Sequence, residues 1–180
     1  MPGVEVDAAG GRVVYDIAPG DSAVLIQARS NIGPIELATT DVSGTVAVAL
    51  SRGAIDPSVP ADATITLPVE SLRSGKPLYD NEIHRRLDAQ RYPTITARLL
   101  ESRMVGSDAV ALAGLLTLHG QTRELTGGAT IESIDDRSLV LVGEEIIDVR
   151  DFSIALPTAL MMRIYPDVVV AFRIHATAPS

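Results

Sequence analysis

Tyr92-Pro93-Thr94-Ile95-Thr96-Ala97-Arg98-Leu99, with Leu118-His119-Gly120-Gln121-Thr122-Arg123-Glu124-Leu125 further along the chain, decides how this sequence is read. In the first segment Ile95, Ala97 and Leu99 alternate with Thr94, Thr96 and Arg98, and a period of two puts the apolar set on one side of a β-sheet. Pro93 disfavours helical geometry at Tyr92, so the chain enters this strand already extended. In the second segment Gly120 is free to take a positive φ between two β-like runs, as a tight turn between antiparallel strands requires. His119 falls at the edge of that hairpin and reads as a turn residue. Antiparallel β-structure is the expectation.

The same reading extends outward. Ile65, Leu67 and Val69 alternate with Thr64, Thr66 and Pro68, and Val168, Val170, Phe172 and Ile174 alternate with Val169, Ala171, Arg173 and His175. Further strands are expected from Ala23 to Ala28, Val42 to Leu50, Ala109 to Leu118, Gln121 to Glu132, Leu139 to Asp148 and Ser153 to Leu156. About eight short strands separated by Gly, Pro, Asp and Ser favour an antiparallel barrel or sandwich over a parallel α/β sheet. His175 reads as a strand residue facing solvent. One short helix is expected near residues 80–90, from about Asn81 to Gln90, with Asp80 as its N-cap, Ile83 and Leu87 on its buried face and Pro93 beyond its end. The whole chain, 1–180, is expected to form one domain, with residues 1–11 a flexible or extended segment. Val46 to Leu50, Val110 to Leu118 and Leu139 to Ile147 carry apolar residues on both faces. Such strands are covered by the helix, by a partner subunit or by the neighbouring strands of a flattened barrel, and a homodimer is one expected arrangement.

Composition narrows the function. With no cysteine, disulfides, thiolate nucleophiles and cysteine-ligated metal centres are excluded. A formal net charge of −8 and a single lysine, Lys76, argue against a nucleic-acid partner, which needs clustered cations to neutralise phosphates. Aromatic residues make up 3% of the chain, so stacking platforms are few and any interior is lined mainly by aliphatic side chains. Hydrophobic residues reach 46%, yet no apolar run approaches the ~18 residues that span a bilayer. Stable membrane insertion is therefore not expected. The start, Met-Pro-Gly-Val-Glu-Val-Asp, has no basic segment followed by an apolar one, and a cytoplasmic location is the expectation.

No nucleophile elbow, P-loop or dinucleotide fingerprint occurs, and the three histidines, His84, His119 and His175, have no metal-ligand spacing. No cofactor, no metal and no catalytic set is expected. Glu144 and Glu145 interrupt an apolar strand, and strict alternation points one of them inward, where a carboxylate bonds a ligand hydroxyl or acts as an acid. A bulge or strand end that exposes both is the favoured expectation. Met161-Met162-Arg163, after Pro157, suits either a plastic apolar entrance or plain loop packing.

A series of landmarks then appears in order: Pro68-Val69-Glu70-Ser71-Leu72, Leu87-Asp88, Tyr92-Pro93-Thr94-Ile95, Gly114 to Arg123, Arg150-Asp151-Phe152-Ser153-Ile154 and the apolar strand Val168 to Ile174. In this order and spacing the chain resembles the YceI-like family, most clearly from Thr64 to the C-terminus. The first third departs from the family pattern, with Asp21-Ser22-Ala23-Val24-Leu25 and Gly33-Pro34-Ile35-Glu36-Leu37 where relatives carry a histidine and further aromatics. The resemblance implies a lipocalin-like antiparallel barrel and, as in family members of known ligand, a polyisoprenoid chain in the lumen. The expected function is non-enzymatic binding of an isoprenoid or fatty acyl chain. Ile65, Leu67, Val69, Ile95, Ala97, Leu99, Val168, Val170 and Phe172 are the candidate lumen residues. His84, Arg85 and Arg86 are the candidate cationic rim for a headgroup. The alternative is a barrel filled by its own side chains and acting as a dimeric interaction or stress-associated module.

Overall fold

A computed structural model describes residues 11–156 and 163–180. The expected flexible or extended segment over residues 1–11, apart from Gly11, and the Met161-Met162 entrance lie outside the described residues. The alternating segments form strands β1 (Arg12–Ile17), β2 (Ala23–Ser30), β3 (Gly33–Thr39), β4 (Ser43–Ser51), β5 (Ala54–Ile55), β6 (Asp62–Pro68), β7 (Thr94–Met104), β8 (Ala109–Leu118), β9 (Gln121–Ile134), β10 (Ser138–Asp148) and β11 (Ile164–Thr177). Helix α1 (Pro77–Arg86) lies between β6 and β7.

All the pairings between strands are antiparallel, and they run β4-β6-β7-β8-β9-β10-β11 around the wall. Two consecutive strands then share the edge of β11, with β2 against Val168–Arg173 and β1 reaching it at Asp16↔Thr177. β1 in turn pairs β4 from Arg12↔Ala49 to Ile17↔Gly44, which closes the ring. β3 pairs β2 as β4 pairs β1, so β1–β2 and β3–β4 each act as one interrupted strand of a closed eight-strand barrel. On its other side β3 meets the segment after β6 through the bridge Ala38↔Arg73 and through Thr39 Oγ1, which donates to Ser71 Oγ at 2.7 Å. His119, at φ 54°, and Gly120, at φ 70°, make the expected tight turn between β8 and β9.

Period-two alternation decides what fills the ring. Tyr15, Val24, Val42, Val46, Val48, Leu72, Leu139, Ile174 and Ala176 form one buried cluster. The Tyr15 hydroxyl donates to the Asp135 carbonyl at 2.5 Å and locks β1 to the β9–β10 turn. A second cluster of Leu118, Phe152 and Ile154 lies at the end where α1 sits, and Leu87 and Ile95 touch both clusters.

Four details depart from the sequence reading. β6 ends at Pro68, and Val69 is no lumen strand residue: it opens a 3-10 turn over Val69–Ser71, is buried, and donates its amide to Pro93 O at 2.8 Å. Ser153–Leu156 is no strand, because the Asp148 carboxylate caps Arg150 N at 2.9 Å and turns the chain into a 3-10 segment that buries Phe152. The helix is present, but it begins at Pro77, a residue suited to the first helical position, with Lys76 as N-cap. Asp80 instead sits inside α1, buried, accepting from Ser74 N and Ser74 Oγ at 2.7 Å each. β1 and β3 are strands the alternation did not single out.

Candidate functional site

The interior is the candidate site, and strand register assigns its lining. Ile65 faces Ala97 and Leu67 faces Ile95 across β6–β7, while Ala97 faces Leu116 and Leu99 faces Gly114 across β7–β8. These partners share a face, and since Leu67 is in the buried cluster with Ile65 and Ile95 packed on it, that face is the interior. On β11 the even positions Val168, Val170 and Phe172 point inward, level with Ile147, Glu145 and Gly143 of β10. Eight of the nine candidate lumen residues therefore point into the barrel, and Val69 alone leaves the strand face.

Their burial separates packed wall from free wall. Leu67 and Val168 are buried, and Ile65, Ile95, Val170 and Phe172 are partly buried against the first cluster. Ala97 and Leu99 of β7, with Leu112 and Met104 further along the same face, point inward yet belong to neither cluster and remain only partly buried. This part of the β7–β8 wall is thus an inward, mainly apolar surface that the described side chains leave only partly covered. The sequence reading passed over Leu112, Leu116, Leu125 and Leu141. A signal for the β8 pair was present in side-chain size, since Val110, Leu112, Leu116 and Leu118 alternate with Ala109, Ala111 and Ala113.

The seam between β9 and β10 is interrupted. β9 and β10 pair from Leu139↔Ile134 to Val142↔Thr130 and no further, although both strands continue. Beyond that point the Gly128 amide, which a continuous ladder would bond to β10 backbone, donates to Glu145 Oε1 at 2.7 Å. Glu144 and Glu145 are therefore not both exposed at a bulge: β10 keeps unbroken register with β11, so Glu144 points out and Glu145 points in. A β-carbon at Gly127 would collide with the Glu145 carboxylate, and one at Gly143 would collide with the Phe172 ring. Glycine at both positions makes the room these side chains occupy. On the outer side a depression of about 360 Å³ lies over the same glycines, flanked by Ala109, Ala111, Thr130, Val142 and Glu144.

The cationic residues of α1 are engaged locally. Arg85 and Arg86 both pair with Glu82, at 2.6 and 2.7 Å, and His84 Nε2 bonds to Leu72 O at 2.8 Å. His119 Nδ1 bonds to Phe152 O at 3.0 Å and its ring meets Tyr92 edge-on, so it ties the β8–β9 turn to the segment that closes the helix end. Burial, with Asp135 and Asp136 nearby, pushes the Tyr15 phenol up to about 12. The two bonds from Ser74 hold Asp80 below the ordinary carboxylate range. Among the described residues no group of His, Asp and Glu could hold a metal ion, and no helix is long and apolar enough to cross a membrane. The arrangement supplies an aliphatic surface and one inward carboxylate.

The YceI-like domain model matches residues 15–176. None of the curated proteins matches the chain by sequence. Among solved structures, BcnA of Burkholderia cenocepacia superposes with a TM-score of 0.74 at 20% identity, covering 90% of this chain and 100% of that one. A polyisoprenoid-binding domain from Saccharophagus degradans, implicated in plant cell wall breakdown, gives 0.74 at 15% identity over 93% and 99%. The YceI protein of Campylobacter jejuni gives 0.63 at 16% identity over 78% and 82%. At these identities the likeness is one of fold, and it extends through the divergent first third.

Proposed function

This chain belongs to the YceI-like family, and we propose that it is a non-enzymatic carrier that holds an isoprenoid or fatty acyl chain inside its barrel. The observation that carries the reading is the incompletely covered interior of the β7–β8 wall, where Ala97, Leu99 and Leu112 point inward and are only partly buried among the described residues. Exposed aliphatic surface inside a closed ring is costly, and an apolar chain laid along it removes that surface from water at about 0.8 kcal/mol per methylene. A chain of ~16 carbons then supplies about 13 kcal/mol, which leaves micromolar affinity after an association and ordering cost of about 5 kcal/mol. The ligand class named for the Saccharophagus degradans domain, a polyisoprenoid, is of this kind. Glu145 and Phe172, beside the glycine seam, are the residues proposed to meet the chain's polar end and its first carbons.

Native mass spectrometry of freshly purified protein, set against its denatured mass and a solvent extract, tests the reading. A stoichiometric adduct of prenyl or acyl mass supports it. A clean apo mass that also resists loading with prenyl alcohols and fatty acids overturns it.

A second reading rests on the outer face, where Ile146 is 71% exposed on β10. With both buried clusters already filled, the barrel would act through this face as a dimeric interaction module. Sedimentation of Ile146→Glu against the wild type separates the two, since a dimer built on this face dissociates and an isolated carrier is unaffected.

A further inference from the structure

We propose that the polar end of the bound chain is a hydrogen-bond donor, an alcohol or an amine, received by Glu145 Oε2 at the β9–β10 seam. This inference rests on the carrier reading and names the headgroup chemistry which that reading leaves open.

Four observations converge on Glu145. Register turns its side chain inward, opposite Val170 and next to Phe172 on the adjoining strand. The seam is shaped around it, because Gly127 has no β-carbon where the carboxylate lies and the ladder stops at Val142↔Thr130, leaving Gly128 N–H to be taken by Oε1. That bond fixes one oxygen. The other, Oε2, receives no hydrogen bond from any described residue, and no buried side-chain oxygen among them lacks a partner, so Oε2 stays open to the interior or to water. Finally, none of the ion pairs among the described residues involves Glu145, so no protein cation neutralises it.

A fixed carboxylate with one free oxygen and no counter-cation selects by charge. A hydroxyl or ammonium donates to Oε2 and satisfies it. A carboxylate or pyrophosphate placed there brings like charges together with no protein cation between them, which is unfavourable. The opposite preference would follow if His84, Arg85 and Arg86 received the headgroup, but Glu82 already holds both guanidiniums. The chain would start against Phe172 and Val170 and run on to the incompletely covered face of β7 and β8.

The test uses matched pairs on the whole protein: hexadecanol against hexadecanoate, and geranylgeraniol against geranylgeranyl pyrophosphate, with dissociation constants from native mass spectrometry and from competition with a fluorescent chain. E145Q is the matched variant, because a Gln carbonyl still accepts from Gly128 N while the charge is lost. The expected result is that each alcohol binds at least about tenfold more tightly than its anionic counterpart, and that E145Q brings each pair within about threefold by improving the anion. Equal or tighter binding of the anions by the wild type overturns the headgroup assignment while leaving the carrier reading intact. So does a preference for alcohols that E145Q retains. Failure of every chain to bind, whatever its headgroup, overturns the carrier reading and this inference with it.

Discussion

The ring of Phe172 fills the place of the β-carbon that Gly143 lacks, across the β10–β11 ladder, with Cε1 2.9 Å from that position. On the same residue's other side Gly128 O lies 2.8 Å from the missing carbon. Gly143→Ala therefore displaces an aromatic ring and a backbone carbonyl together. The expected cost is about 1–3 kcal/mol, read as a lower urea midpoint with an unchanged slope. Combining it with Phe172→Leu should recover part of that loss, a non-additivity that independent sites would not show.

Adjacent residues on β7 should behave as opposites in ligand binding. Ala97 points into the incompletely covered interior and Arg98 points out. Ala97→Trp is expected to lower loading of a fluorescent acyl chain by more than about tenfold, because the indole takes the volume the chain would use. Arg98→Ala is expected to leave loading unchanged. Equal effects at the two positions would contradict the assignment of the interior wall.

Tyr15 predicts the alkaline limit of stability. Its phenol holds the proton more tightly when folded, with a pKa of about 12 against 10.0 for an ordinary tyrosine. Its contribution is therefore complete below pH 10 and is lost as pH rises towards 12, by at most about 3 kcal/mol. Tyr15→Phe should remove that alkaline slope. At neutral pH it should cost about 1 kcal/mol for the lost bond to Asp135 O. Urea midpoints across the alkaline range give both values.

Asp80 predicts the acid side. Its carboxyl is held below the usual range, first by the Ser74 hydroxyl and then by the Ser74 amide. A depressed folded pKa contributes stability that is present above the ordinary carboxylate value and lost as pH falls through the folded one. Asp80→Asn should thus lower Tm at neutral pH, with the gap to wild type closing in acid. A gap that is constant across pH would assign the loss to geometry rather than charge.

Arg85 and Arg86 should matter little to stability. Arg85 is largely exposed, at 72%, and both share one carboxylate, Glu82. Each arginine-to-alanine change is expected to cost under about 1 kcal/mol by urea titration.

Most of the wall was legible because half-buried strands write their inside and outside in alternate residues. β6, β7, β9 and β11 were found this way, and with them the inward direction of Ile95, Ala97, Val170 and Phe172. Val69 was misplaced because alternation continues formally past Pro68, while the amide that decides the turn bonds to Pro93, an interaction remote in sequence. β3 was missed because Gly33-Pro34 reads as punctuation, although Ile35 and Leu37 alternate behind it and are buried. The helix start was legible in Pro77, whose fixed φ suits a first turn; Asp80 drew attention as a cap because its true partner, Ser74, lies before the helix. Glu145 shows the limit most clearly. Parity required one of Glu144 and Glu145 to point inward although exposure of both was the favoured expectation; the register of β10 with β11 selects Glu145, its bond to Gly128 depends on where the β9–β10 ladder stops, and neither is set by neighbours in the chain.

The pairing of Asp16 with Thr177 joins the first strand to the last. On a ribosome this ring stays open until its final strand has left the exit tunnel, and the aliphatic inner faces of every earlier strand must wait in water meanwhile. Folding dominated by such distant contacts is slow, and an unclosed sheet offers free edges to other chains. Yield in the cell should therefore depend on how quickly β11 is delivered, and on whichever chaperone shelters the half-built wall until then.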